Sequence, residues 1–369
     1  MMIRTISILF LLLAFCMPGL VSAEEEYWEY TFRPGDSIWK IAEKYTTTVN
    51  NWDEIQKLNQ IRQGPDRRIR PGTRIFIPIS MLKLQPVPAR VIAVNGGASL
   101  QRANGDKAEI STETRLYNGD RVITGDAQSL RLQFADKSEL QILPNSEVLL
   151  DKLSHHKNTG MVDTRIRLNS GSVNTWVEKL KPESRYEIIT PAAITAVRGT
   201  AFRLTATVDQ ISRTEVTEGI VGVSAEDSKK DVKHGYGIVA EKGKPLPEPV
   251  KLLPPPEISD NLFADSSELH VTWNKLDGAA LYRYQLAKDE KFNQIVTDKT
   301  TKDNSIEMTQ LQPGHYYLRI RGVDSYKLQG LDAVSDYEIK AAPVVEPVVE
   351  DDSYWKVIMT TGIVIMLLL

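Results

Sequence analysis

Tyr30-Thr31-Phe32-Arg33-Pro34-Gly35-Asp36-Ser37-Ile38-Trp39 opens a stretch that closes on Arg70-Pro71-Gly72-Thr73-Arg74-Ile75-Phe76-Ile77-Pro78. Each end is a short apolar strand beside a Pro-Gly turn, and two helical patterns lie between them. Ile38, Ile41, Ala42 and Tyr45 recur at i, i+3, i+4 and i+7, which puts them on one helix face. Asp36 stands in front as the expected N-cap, its carboxylate accepting the orphan N–H groups of the first turn. Asn51-Trp52-Asp53-Glu54 reads as a cap followed by an acid, as in a capping box. Trp52, Ile55 and Leu58 are the expected buried stripe of this second helix, and Asn59 its end. The stretch predicts a small βααβ module over residues 28–80.

This order, with Gly35-Asp36-Ser37-Ile38-Trp39, Ile41-Ala42, Leu58-Asn59 and Ile69-Arg70-Pro71-Gly72 through Ile77-Pro78, closely resembles the LysM domain. The resemblance implies recognition of N-acetylglucosamine-containing glycans, chiefly peptidoglycan. The implied groove lies between Gly35, Asp36, Ser37 and Ile38 on one side and Asn59, Gln60, Ile61 and Arg62 on the other. Backbone N–H and C=O groups would read the acetamido groups, and Ile38 and Ile61 would pack on sugar faces. The loop from Asn59 to Ile69 is longer and more basic than the family's pattern. Arg62, Arg67, Arg68, Arg70 and Arg74 are expected to rim the groove and meet the carboxylates of peptidoglycan stems. The alternative for each of these residues is that it only builds the fold.

A chain of 369 residues holds two to three domains. Its 41% apolar and 25% charged residues are ordinary for globular protein. A net charge of −3 without a large basic field argues against a nucleic-acid partner. Residues 1–23 read as a secretory signal peptide: Arg4, an apolar run from Ile6 to Phe15, then Val21-Ser22-Ala23 before Glu24. As a membrane span the run is too short, and Pro18-Gly19 interrupts it. Lipidation at Cys16 meets a bulky Phe15 where a small residue belongs. Cys16 is the sole cysteine, so the processed chain has no disulfide and no thiol chemistry. Export places the chain where peptidoglycan is found.

After a short linker, Lys83 to Pro88, strand-sized alternations fill residues 90–225. Leu130, Leu132 and Phe134 alternate before the turn at Ala135 to Ser138; Leu140 and Ile142 follow, then Val148 and Leu150 beyond Pro144-Asn145-Ser146. Such alternation builds antiparallel sheets with a single buried face. Four pieces resemble the FecR domain: Asn118 to Gly125, Leu168-Asn169-Ser170-Gly171-Ser172-Val173, Ile189-Thr190-Pro191 through Val197-Arg198-Gly199-Thr200, and Val216 to Val223. The resemblance implies an extracytoplasmic β module that mediates protein contacts. The family's signal relay to an anti-sigma segment is not carried over, because this chain begins with a cleavable signal and lacks the cytoplasmic N-terminal helix. Arg198 is expected to be structural, bonding strand-end carbonyls near Gly199.

Residues 241–256, rich in Lys, Glu and Pro, read as an extended polyproline spacer. Residues 257–341 look like a fibronectin type III domain, with Trp273 on an early strand and Leu311-Gln312-Pro313-Gly314 leading to Tyr316, a tyrosine corner. Trp273 and Tyr316 are expected in the core. Residues 342–353 read as a disordered acidic linker, and 354–369 as a short apolar membrane anchor with Tyr354-Trp355 at the interface.

Catalytic constellations are missing from the sequence. No two of His155, His156, His234, His270 and His315 have an i,i+4 spacing for a metal, and Gly-x-Ser-x-Gly and phosphate-loop motifs are absent. A muramidase needs two carboxylates across a sugar-sized cleft, and the acids here fall in turns and linkers. The expected fold class is multidomain and mainly β: a βααβ LysM module, a β-rich FecR-like domain, a fibronectin III-like β-sandwich and a short C-terminal apolar helix. The expected function is that of a non-enzymatic periplasmic adaptor without cofactor or metal. It binds peptidoglycan through LysM and an envelope protein through its β domains, and touches the membrane with its tail. The alternatives are an envelope sensor using the FecR-like domain, or a targeting subunit for a cell-wall enzyme.

Overall fold

The computed structural model describes residues 26–61, 69–259, 263–265 and 268–340. The expected signal peptide 1–23 with Cys16, the loop residues Arg62, Arg67 and Arg68, the acidic linker 342–353 and the C-terminal anchor 354–369 lie outside the described residues. Two compact units form. Among the described residues, one gathers those up to Val87 with Leu153–Thr164 and Leu180–Arg185; the other gathers Pro88–Lys152, Arg165–Lys179 and those from Tyr186 on. Among the described residues no helix is long and apolar enough to cross a membrane.

In the first unit, β1 (Tyr27–Thr31) pairs antiparallel with β2 (Arg74–Pro78), Tyr27 opposite Pro78 and Thr31 opposite Arg74. Helices α1 (Ile38–Tyr45) and α2 (Asn51–Leu58) complete the βααβ order. Ile38, Ile41, Ala42 and Tyr45 are all buried, as the period demands, beside Ile55, Ile75 and Ile77. Details of the helix ends differ from the expectation. Ser37, not Asp36, caps α1, its hydroxyl accepting from Lys40 N at 3.2 Å. Asp36 is claimed instead by Tyr30 and the Arg33 N–H. Asn50 precedes α2 in helical conformation with no side-chain cap, so the capping box does not form. Of the expected stripe only Ile55 is buried: Trp52 packs at the core's margin, and Leu58 is 38% exposed. Asn59 does end the helix. The core also takes in Met161, fully buried, from far along the chain. The expected linker 83–88 is partly strand, Leu84–Pro86 pairing with Ser154–His156.

In the second unit, an unbroken antiparallel sheet runs Ala89–Asn95, Ser129–Gln133, Glu139–Ile142, Met161–Trp176, Ala201–Ala206, Ile211–Glu218, Tyr236–Glu241 and Val250–Lys251. The alternation seen in the sequence buries Leu130, Leu132, Leu140, Ile142, Phe202, Leu204 and Val216. The sheet continues past residue 225 to Lys251, and this changes the reading of the proline-rich stretch. Val250 and Lys251 pair with Gly237 and Tyr236, and Leu246 and Leu252 are buried. Leu253 packs on the core of the next module, and its carbonyl accepts from Leu331 N at 2.9 Å. Residues 241–256 are thus docked chain, because their leucines bury more favourably than an extended proline stretch hydrates.

The fibronectin-like module in the same unit has two sheets. Phe263–Asp265, Glu268–Thr272 and Ser305–Met308 form one; Ile295–Thr301, Leu281–Ala287, Gly314–Val323 and Ala333–Ile339 form the other. Trp273 is 1% exposed and meets the Tyr282 ring edge-on at 5.3 Å. The Tyr316 hydroxyl donates to the Gln312 carbonyl at 2.8 Å, closing the tyrosine corner.

Candidate functional site

Residues 35–38 and 59–61, expected to flank the groove, are held by side-chain clamps. In the first, Gly35 has φ +86, a left-handed turn that suits glycine. Asp36 then points back into the module, its carboxylate accepting from the Tyr30 hydroxyl at 2.7 Å and from Arg33 N at 2.8 Å. Burial, followed by the bond to Asp36, pushes the Tyr30 phenol above its ordinary value. The Lys40 ammonium donates to the Gly35 carbonyl at 3.1 Å. Gly35 and Ser37 remain exposed. The N–H groups of Ile38 and Trp39 belong to the first turn of α1, where no intrahelical carbonyl can reach them.

In the second loop, the Asn59 amide makes three bonds: to the Ile55 carbonyl at 2.8 Å, to the Phe76 carbonyl at 2.7 Å, and from Phe76 N at 2.7 Å. It ties the end of α2 to the middle of β2. Gln60 is exposed with φ +52, and its N–H donates to the Lys57 carbonyl at 3.0 Å. The Gln56 side-chain amide donates to the Ile61 carbonyl at 3.0 Å, and Ile61 N donates to the Gln56 backbone carbonyl at 3.0 Å. Ile61 is half-buried against the core.

Two expectations about side chains change. Ile38 is 8% exposed and belongs to the core, so it has little surface to offer a sugar. Asn59 is a clamp whose amide is already engaged. Apolar surface is offered by residues the sequence reading passed over: Trp39, 50% exposed, and Phe76, 45% exposed. Both were detectable. Trp39 lies off the 38/41/42/45 stripe, and Phe76 alternates with the buried Ile75 and Ile77. Of the basic rim, Arg70 and Arg74 are exposed, and Arg74 pairs with Glu29 at 3.4 Å. His155 and His156 point to opposite sides of their strand, one exposed enough to meet Gln85 at 3.3 Å and the other buried. Among the described residues, no three His, Cys, Asp or Glu side chains stand together as a metal-binding group.

The LysM domain model matches residues 30–78, and the model described as FecR protein matches residues 120–222. With the sandwich described above, the chain carries a LysM domain, a FecR-like domain and a fibronectin type III-like domain. LysM domains generally bind N-acetylglucosamine-containing glycans such as peptidoglycan, and LysM and FecR-like domains are binding or regulatory modules typical of envelope proteins. No curated protein matches the chain. Among solved structures, a Parabacteroides distasonis protein provisionally described as an anti-sigma factor is similar at 14% identity over 36% of this chain, with a TM-score of 0.30. The chain spans 58% of that protein's length. The structure of FN3tt is similar at 17% identity over 24% of this chain and 99% of its own, with a TM-score of 0.20. A human fourth FNIII domain is similar at 16% identity over 26% of this chain and 82% of its own, with a TM-score of 0.21.

Proposed function

We propose that this chain is a non-enzymatic envelope adaptor that grips peptidoglycan through its LysM domain and holds a protein partner through its β domains. The observation that carries the reading is the LysM module with residues 35–37 and 59–61 held by clamps, beside the exposed Trp39. Loops fixed in advance lose little entropy on binding, so more of the contact energy appears as affinity. The exposed Gly35-Ser37 turn and the first-turn N–H groups of Ile38 and Trp39 suit an acetamido carbonyl. The Trp39 ring supplies the apolar face that Ile38 does not. The sequence of residues 1–23 supports export to the periplasm of a Gram-negative-type envelope, and that of 354–369 supports a membrane contact at the other end.

Trp39→Ala tests the glycan reading. The side chain is half exposed, so the fold should keep its melting temperature. Removing an aromatic anchor costs about 2 kcal/mol, roughly a 30-fold loss of affinity for insoluble peptidoglycan. Unchanged affinity in the folded variant would remove Trp39 from the site and leave the groove without its apolar face.

A further inference from the structure

One cross-strand row of the FecR-like sheet is polar and nevertheless buried. Arg131, Gln141, Asn174, Arg203, Glu215 and Gly237 stand opposite one another on six successive strands. The fibronectin-like module covers them. Arg131 donates to the Lys291 carbonyl at 2.8 Å and Gln141 to the Phe292 carbonyl at 2.6 Å. Arg203 reaches Asp332 at 3.0 Å and the carbonyls of Gln329 and Gly330 at 2.9 and 2.5 Å. Arg213, flanking the row, donates to the Tyr326 carbonyl at 2.8 Å. The covering sheet is charged as well: Arg319 and Arg321 are buried beside Gln285. Charged faces pressed together gain little net energy, since desolvation offsets their attraction, and each stays well hydrated when alone. The contact also packs the buried Leu328 over Gly237, so opening it uncovers limited apolar surface along with the charged row.

Glu215 is the least satisfied member. It is 0% exposed, and one carboxyl oxygen accepts from Gln329 N at 3.2 Å. The other has no hydrogen-bond partner among the described residues; Arg203 Nε, also without one, is 3.9 Å away. The charged groups facing it are Arg203 on the next strand, Arg213 on its own strand, and Arg321 and Arg283 from the covering sheet. Asp332 competes for these guanidiniums, lying 3.0 Å from Arg203, 2.8 Å from Arg321 and 3.9 Å from Arg319.

We propose that the fibronectin-like module is a latch on the polar row of the FecR-like sheet, and that loss of a proton from Glu215 releases it and uncovers the row. Burial pushes the Glu215 carboxyl up from 4.5 to about 7, against the pull of Arg203, the Gln329 N–H, Arg321 and Arg213. The closed latch therefore holds a proton that the open one gives up. Closure is strongest below the open-state value and weakens as pH rises through the closed-state value. With those two values, the closed-to-open ratio falls by about 70-fold between about pH 5 and about pH 8.

The test is hydrogen exchange of the Gln329 amide in the full chain, corrected for the intrinsic pH dependence of exchange. Protection should fall by about 70-fold over that range in the wild type and stay level in Glu215→Gln. Asp332→Asn should shrink the fall, because it leaves more of the Arg203 and Arg321 charge to hold the Glu215 carboxylate ionised in the closed latch. A level wild-type profile, a Glu215→Gln profile with the wild-type slope, or an Asp332→Asn profile steeper than the wild type's would each overturn the proposal.

Discussion

Gly171→Ala should lower the melting temperature of the FecR-like domain by about 10–15 °C. Gly171 lies within the strand Met161–Trp176 at φ +95. A Cβ there would stand 2.4 Å from the Ser146 Cα and 2.6 Å from the Asn145 carbonyl oxygen. Both are backbone atoms of a turn that is itself pinned. Ser172 N donates to the Ser146 hydroxyl at 2.9 Å, and Ser146 N donates to the Thr124 hydroxyl at 2.9 Å. The neighbour cannot swing aside as a flexible side chain would. Left-handed strain and overpacking together cost about 3–5 kcal/mol. Calorimetry of the full chain reads the shift, and a drop of less than about 3 °C would mean that the close approach is relieved cheaply.

Asn59→Ala should remove the clamp between α2 and β2 and with it much of the glycan capture. Three hydrogen bonds of 2.7–2.8 Å are lost at once; the Phe76 N–H and carbonyl lose the Asn59 amide, while the Ile55 carbonyl keeps the Asn59 backbone N–H at 3.2 Å. The expected destabilisation is about 2–4 kcal/mol. Asn59→Asp separates the parts, because it keeps the acceptor for Phe76 N and loses both donors. It also sets a carboxylate oxygen against the Ile55 and Phe76 carbonyls, so its cost should equal or exceed that of alanine. Denaturant unfolding followed by tryptophan fluorescence reports the stability, since Trp28 and Trp52 pack on this core. Alanine and wild type unfolding at the same denaturant concentration would show that the clamp carries no weight.

The βααβ module was legible because a 3.6-residue period and Pro-Gly punctuation agree over the whole stretch. Its caps were misplaced by one residue, since Asp36 and Ser37 are equally good caps and only the tertiary bond from Tyr30 decides between them. The β domains were legible from alternation, and so were the core positions of Trp273 and Tyr316. Alternation shows that the two faces of a strand differ, not whether something covers the polar one. Leu130 and Leu132 read as the buried face of a half-solvated strand, yet Arg131 between them is buried under a second module, as is Arg203 between Phe202 and Leu204. The proline-rich stretch misled for a related reason. Proline density suggests a spacer, and the burial of Leu246, Leu252 and the packing of Leu253 depend on surfaces that only the fold creates. In the groove, the loop positions followed from the family resemblance, whereas the use of each side chain did not: Ile38 went to the core and Asn59 to a clamp.

The most direct measurement is co-sedimentation of the full chain with purified peptidoglycan, with and without soluble N-acetylglucosamine oligomers as competitor. The full chain is needed because Met161 completes the LysM core, so residues 24–80 alone lack a buried member. The account predicts pelleting that the oligomers abolish and that Trp39→Ala weakens. Pelleting no greater than that of an unrelated protein of similar charge, or pelleting untouched by the oligomers, would contradict it.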